Sequence, residues 1–446
     1  MRTVIAGEMT KDEMTALLTK PAFDQLELGE KAKRRIQETF GRDMTASQVV
    51  EVIVNEIRHQ GDAALFKYIQ QIDGVAFTAA TIEVKPAEVE NAYQKVDRDT
   101  LQSLRRAAQN VRKFHTEQLP KTWLTQREHG AMLGQKCLPL ERVGIYVPGG
   151  TAAYPSSVIM NAVPATVAGV TEIIMVVPPD RDGCVNPYYL VAAREAGVSR
   201  IFKVGGAQAV AALAFGTETI PKVDKITGPG NIFVTLAKKA VYGYCDIDML
   251  AGPSEILIIA DETADPDYVA ADMLSQAEHD VLASSILITN SHGLAEKAAE
   301  AVKKQVIQLP RRDIVEEALL KNALIIVTGT IREAVELANI SAPEHLELMT
   351  AEPFALLPYI KNAGAVFLGA YSPEPLGDYF AGPNHVLPTG GTARFYSVLN
   401  VETFMKKTSI IAYTQEALHQ VSQDIIRLAH TEGLEAHANA VRVRDR

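Results

Sequence analysis

The sequence predicts an α/β fold with parallel sheets behind a mostly helical N-terminal part. Three observations lead there. Short, apolar, β-branched runs recur through the middle of the chain, amphipathic helical stretches lie between them, and glycine-rich turns follow several of the runs. Strands alternating with helices imply βαβ units and hence parallel pairing.

Taken in order, residues 1 to about 120 read as mostly helical. The segment Ala46–Gln71 alternates apolar and polar residues at helical spacing, and Gly61 and Asp62 punctuate it as a C-cap and an N-cap would. Asp99–His115 is a second amphipathic helix with basic residues on its polar face. Both look like scaffold. Val143–Val147, Glu172–Val177, Arg200–Val204 and Glu255–Ala260 then read as strands, with helices such as Tyr188–Ala196 and Gln208–Phe215 between them. Ser285–Thr289, Ala323–Val327 and Gly364–Gly369 continue the pattern in a second α/β unit to about residue 370. After Pro388 the chain reads as irregular, then offers one amphipathic helix over about Thr414–His430. The short polar end, Glu432–Arg446, is expected either to fray or to reach a partner subunit.

A length of 446 residues predicts two or three domains, and 47% hydrophobic with 22% charged residues is ordinary for a globular enzyme. A formal net charge of −10 argues against a nucleic-acid partner, which needs clustered Lys and Arg. It leaves an anionic cofactor open, because helix N-termini bind phosphates through backbone N–H groups. Cys137, Cys184 and Cys245 are far apart and form no CxxC pair, so neither a disulfide framework nor a thiolate zinc knuckle is expected. Any metal must be held by His, carboxylate or amide groups. No basic region followed by an apolar run opens the sequence, and no run of about 18 apolar residues occurs. Signal peptide, membrane span and membrane partner are therefore not expected, and the cytoplasm is the expected compartment.

Three glycine turns follow predicted strands: Tyr146-Val147-Pro148-Gly149-Gly150, Gly205-Gly206-Ala207-Gln208 and Gly228-Pro229-Gly230-Asn231. The C-terminal ends of parallel strands are where α/β sheets bind ligands, and glycine lets backbone approach phosphate closely. None matches GxGxxG, so each is either a ligand turn or a tight strand–helix turn.

Four further segments offer chemistry. Asp265-Pro266 opens a helix with a good N-cap and a proline at its first position. On it Gln276 and His279, three apart, project from one side and form either a metal-binding pair or a hydrogen-bonded one. In Ser341-Ala342-Pro343-Glu344-His345-Leu346, Pro343 biases Ala342 away from helix, so Glu344 and His345 are expected at a turn or helix start. That places an acid and an imidazole together as proton-transfer groups, or a cap beside a surface histidine. Gly377–His385 reads as an ordered loop carrying Asp378 and His385, and the tail adds Glu432 and His437. The remaining histidines, 59, 115, 129, 292, 419 and 430, read as surface or helix-face residues.

Together these segments resemble the histidinol dehydrogenase family. The match is carried by RVGIYVPGG (142–150), VGGAQAVAALAFGT (204–217), DKITGPGNIFV (224–234), AGPSEILIIAD (251–261), LSQAEHD (274–280), APEHLE (342–347), GDYFAGPNHVLPT (377–389) and EGLEAHANAV (432–441). Their order and spacing cover nearly the whole chain. The resemblance implies a four-electron oxidation of L-histidinol through L-histidinal to L-histidine, with two NAD reduced and one water consumed, in the last steps of histidine biosynthesis. It implies one Zn2+ per subunit on Gln276, His279, Asp378 and His437, the last given by the neighbouring subunit of a homodimer with shared sites. His345 is similar in position to the family's base, and Glu344 to the residue that activates water for the second step. Ser254, His385 and Glu432 resemble substrate contacts, alongside His345 and the metal ligands, and Tyr146, Gln208 and Asn231 resemble NAD contacts. No position departs from the pattern.

The fold so implied has two Rossmann-like domains in an aldehyde-dehydrogenase-like architecture, with a helical N-terminal arm and a small exchanged C-terminal tail. The expected boundaries are 1–25 for the arm, 26–145 with 256–395 for a discontinuous first α/β domain, 146–255 for the NAD-binding domain and 396–446 for the dimerisation tail. Two rivals are a related zinc and NAD dehydrogenase of another polar alcohol, such as a sulfonated propanediol, and a non-enzymatic metal-binding module on a dead enzyme. Glu432 and His385 favour histidinol over the first. Intact Glu344 and His345 count against the second.

Overall fold

The computed structural model describes residues 1–20, 28–149 and 154–445. Two parallel sheets organise the chain. The first has six strands in the order Arg2–Ile5, Ala323–Val327, Ser284–Thr289, Glu255–Ala260, His345–Met349, Ala365–Leu368. The second has five, in the order Arg200–Lys203, Glu172–Val177, Arg142–Tyr146, Lys225–Thr227, Asp246–Ile247. Every pairing within both is parallel.

The apolar runs formed strands because both of their faces are covered. In the first sheet Ile256 and Ile258 pack under the helices Pro266–Ala277, His292–Gln305 and Arg312–Asn322. Leu257 and Ile259 pack on the other face with Ile331–Ser341 and Lys11–Leu18. In the second sheet Val143 and Ile145 face the helices Arg98–Thr116, Pro155–Ala168 and Pro187–Ala196. Ile174 and Val176 face Ala46–Gln60, Gly206–Phe215 and Ile232–Val241.

Part of residues 26–145 packs around the second sheet. The N-terminal helices cover both faces of the second sheet, and Arg142–Tyr146 is that sheet's central strand. The opening residues, expected as an arm, supply an edge strand and a helix to the first sheet.

Other expectations fare variously. Gly61, at φ +55°, separates the helices Ala46–Gln60 and Asp62–Tyr68, as its position suggests. The stretch after Pro388 is not wholly irregular. Met405–Ala412 pairs antiparallel with Met132–Pro139, which pairs with Trp123–Gln126, in a third sheet. The tail carries a helix, Glu435–Arg442, after Gln415–Thr431. Of the two alternatives for His115 the helix face holds: it is fully buried on Arg98–Thr116, and its Nδ1 lies 2.6 Å from the Gln118 side-chain oxygen. No helix among the described residues is long and apolar enough to cross a membrane.

Candidate active site

The site forms at the amino ends of the central strands of the first sheet. Helix Ile331–Ser341 stops because Pro343 forbids its continuation, and Ala342 turns the chain through φ +50°. The chain then enters a strand at His345, not the turn or helix start expected, between Glu255–Ala260 and Ala365–Leu368.

Glu255 fixes both proton-transfer candidates. Its N–H donates to Glu344 Oε2 at 2.8 Å, and its carbonyl accepts from His345 Nδ1 at 2.9 Å. A carbonyl can only accept, so Nδ1 carries the hydrogen and Nε2 presents a lone pair. That Nε2 is buried with no hydrogen-bond partner, 3.9 Å from Asp378 Oδ1 and 4.0 Å from Glu374 Oε1. Burial pushes the His345 imidazole down to about 3 and the Glu344 carboxyl well above the usual carboxylate range. The ring is thus neutral and directs its Nε2 lone pair into the site, the form and geometry that a general base needs.

A ligand set lies against it. Ligand atoms of His279, Glu374 and Asp378 all fall within 4.8 Å of one another. Gln276, in the last turn of Pro266–Ala277, is fully buried with neither amide atom bonded, and His279 lies just past the helix end rather than on the helix as expected. Asp378 lies on the short helix Glu374–Tyr379 rather than in the expected loop. Burial raises the Glu374 carboxyl to about 9 and Asp378 to about 6, and it lowers His279. Carboxylates pushed together in an apolar setting hold protons unless a cation replaces them. The unbonded Gln276 amide and the unbonded Glu374 Oε1 fit a divalent ion. An all-N/O donor set without thiolate suits zinc with positions left open.

His385 sits beside this set. Its Nδ1 donates to the Asp378 carbonyl at 3.0 Å, and Nε2 lies 3.2 Å from Ser157 Oγ. Ser157 opens the Pro155–Ala168 helix that follows the central strand of the second sheet, so this contact joins the two sheets. Ser254 lies half-buried in the crossing from Ile247 to Glu255.

On the second sheet the three glycine turns do follow strand ends, although Gly150 lies outside the described residues. Tyr146 is buried, and its hydroxyl accepts from Gly206 N–H at 3.0 Å. Gln208 is fully buried; Nε2 donates to Asp73 at 3.3 Å and Oε1 is unbonded. Asn231 Oδ1 caps its helix on Phe233 and Val234. Gln208 and Asn231 line a cavity of about 440 Å³ with Gly206, Phe233, Arg35, Ile36 and Phe40.

The sequence matches the family model for histidinol dehydrogenase over residues 37–445. A histidinol dehydrogenase of Heliobacterium mobile is 57% identical over 431 residues, covering 97% of this chain and 99% of that protein. One from Bacillus subtilis (strain 168) is 53% identical over 399 residues, 90% of this chain and 93% of its own. The crystal structure of a histidinol dehydrogenase from Elizabethkingia anophelis superposes with a TM-score of 0.90 at 37% identity, covering 100% of this chain and 98% of that one. The chain belongs to the histidinol dehydrogenase family.

Within that family frame, the structure brings His279, Asp378, Glu344, His345 and His385 to one locus in a single chain, with Gln276 three residues before His279. It does not bring Glu432 or His437 there. Both are exposed at the C-terminal helices, and the metal-type cluster among the described residues excludes them. Sequence reasoning missed Glu374 and Ser157. Glu374 stands four residues before Asp378, one helical turn away, a signal hidden by reading the segment as a loop. Ser157 gave no signal, since its partner lies 228 residues on.

Proposed function

We propose that the chain is a zinc-dependent, NAD-linked dehydrogenase that takes L-histidinol through L-histidinal to L-histidine, and that it works in the cytoplasm as a homodimer with one zinc per subunit. The observation that carries the reading is an unbonded, neutral His345 Nε2 about 4 Å from a buried His–carboxylate cluster that also leaves a glutamine amide without partners.

Gln276, His279 and Asp378 would hold the metal within one chain, with His437 of a second copy completing the set. Zinc, when bound, supplies an anchor for the substrate's imidazole and amine nitrogens. NAD supplies the hydride acceptor, with Tyr146, Gln208 and Asn231 as its contacts. His345 Nε2 takes the hydroxyl proton as the carbinol C–H leaves as hydride, and the product is the aldehyde. Glu344, once ionised, takes a proton from the water that adds to the aldehyde carbon. The hydrate then loses a second hydride and a proton to give the carboxylic acid. Holding the aldehyde between steps keeps it from escaping, and fixed orientation brings its carbon to the acceptor twice. Ser254, His385 and Glu432 would orient the substrate, the last reaching its ammonium or imidazole.

Support for the second copy comes from the chain's own surface. Trp123, Leu124 and Ile411 on the third sheet are 50%, 52% and 74% exposed, and Leu428 on the C-terminal helix 65%. Exposed apolar side chains of this size favour contact with another protein surface, and Leu428 stands on the helix that Glu432 caps.

The test is a steady-state assay of zinc-loaded protein with histidinol and NAD. NADH formation is expected; none at millimolar histidinol overturns the reading. Faster turnover of a sulfonated propanediol would assign the substrate to that rival instead.

A further inference from the structure

A lysine and an aspartate with nearly no exposed side-chain surface, 3% and 1%, meet beneath the third glycine turn as the Lys238–Asp248 ion pair. Both spend their hydrogen bonds on one glycine. Lys238 Nζ donates to the Gly228 carbonyl at 3.0 Å, and Asp248 Oδ2 accepts from Gly228 N–H at 2.8 Å. Asp248 Oδ1 also accepts from Met249 N–H at 2.6 Å.

Gly228 sits at φ +111°, and a Cβ there would strike the Tyr146 carbonyl oxygen. The gripped residue therefore presses directly on Tyr146, whose hydroxyl in turn holds Gly206 N–H. Three residues beyond Gly228, Asn231 caps the Ile232–Val241 helix, which is the helix that carries Lys238. One ion pair is thus connected to Tyr146 and Asn231, two of the three residues read as dinucleotide contacts. Burying two charges is expensive, and apolar residues of like volume would stabilise a fold as well or better.

We propose that Lys238 and Asp248 are positioning residues for the dinucleotide, holding Gly228 so that Tyr146 and Asn231 meet it in register. The proposal rests on the reading of Tyr146, Gln208 and Asn231 as NAD contacts.

Asp248→Asn removes one charge and leaves Lys238 buried without a counterion, so it tests stability and position together. The double variant Lys238→Met, Asp248→Leu separates them, because it removes both charges and keeps the volume. Dissociation constants for NADH are measured by fluorescence titration without histidinol, next to thermal melting, zinc content and steady-state kinetics. The double variant is expected to melt near the wild type and to bind NADH about 10–100-fold more weakly, the range for a small misplacement of a contact. The kinetic loss should fall on KM for NAD, not on KM for histidinol or on zinc content. A folded double variant with wild-type NADH affinity overturns the proposal. So does a double variant that is unfolded at room temperature, since the pair would then be purely structural. Wild-type protein that binds no NADH refutes the underlying cofactor reading, a failure recognisable because it precedes any substitution.

Discussion

Replacing His345 by asparagine isolates the proton-acceptor role. The native ring spends Nδ1–H on the Glu255 carbonyl and leaves Nε2 as the only free basic atom. Asparagine keeps an N–H that can reach that carbonyl, yet places no base where Nε2 stood. The neighbouring carboxyls do not substitute for it, because in this reading Asp378 is committed to the metal and Glu344 is held on the Glu255 N–H. The loss is then the share of a positioned base, about 10²–10⁴-fold in turnover, or roughly 3–5 kcal/mol of barrier at 1.36 kcal/mol per decade. Turnover is followed as NADH release with histidinol at saturation, and zinc content by metal analysis of the same sample. Zinc content should not change. Turnover within threefold of wild type would refute the assignment of the base.

Three other expectations follow from the same geometry. Gln276→Leu removes a buried amide that has no partner in the protein, so the metal-free variant should melt no lower than wild type. Zinc affinity should drop by at least about 10–100-fold, the effect of losing even an outer partner; unchanged affinity would exclude Gln276 as a ligand. Deleting residues 432–446 takes away Glu432, His437 and the Glu435–Arg442 helix but nothing from the cores of the two parallel sheets. The truncated chain should fold, bind no zinc and be inactive, and mixing it with His345→Asn chains should restore activity through hybrid dimers; no restoration would contradict a shared site. The pH profile of stability also has a fixed sign. Burial raises Glu374 to about 9 and Asp378 to about 6 from their ordinary values of 4.5 and 3.8, so between those values the native state holds protons that the unfolded state has lost, and above about pH 7 the effect is that of Glu374. Metal-free protein should therefore lose stability as pH rises from about 7 to about 9. His345 and His385, lowered by burial to about 3 and about 4, lose stability only below about pH 6.5, outside that window. Zinc replaces the protons and should flatten the alkaline fall; an equal fall with zinc bound would count against these ligands.

The parallel strands were legible because burial on both faces makes them continuous apolar runs, as in Glu255–Ala260 and Glu172–Val177. The third sheet was not. Met405–Ala412 and Trp123–Gln126 are largely exposed and carry no such run. His345–Met349 was obscured by Pro343, which reads equally as the start of a turn or the end of a helix. Glu374-Pro375 held a signal that was passed over, since proline at a first helical turn opens the helix that aligns Glu374 with Asp378. The allocation of the N-terminal helices to the second sheet was invisible in an order of elements, because amphipathic faces on Ala46–Gln60 and Arg98–Thr116 state that they are covered, not by what. Convergence was the least legible feature. His279, His345 and Asp378 stand far apart in the chain and meet only because adjacent parallel strands and their helices return to the same end of one sheet.

The central claim is that one site carries a single substrate through two hydride losses. It is tested by letting zinc-loaded protein consume a limiting, known amount of histidinol under excess NAD, then counting the NADH formed. Two NADH per histidinol, with histidine as the only organic product, is the result expected. One NADH per histidinol, with free aldehyde accumulating, would contradict it.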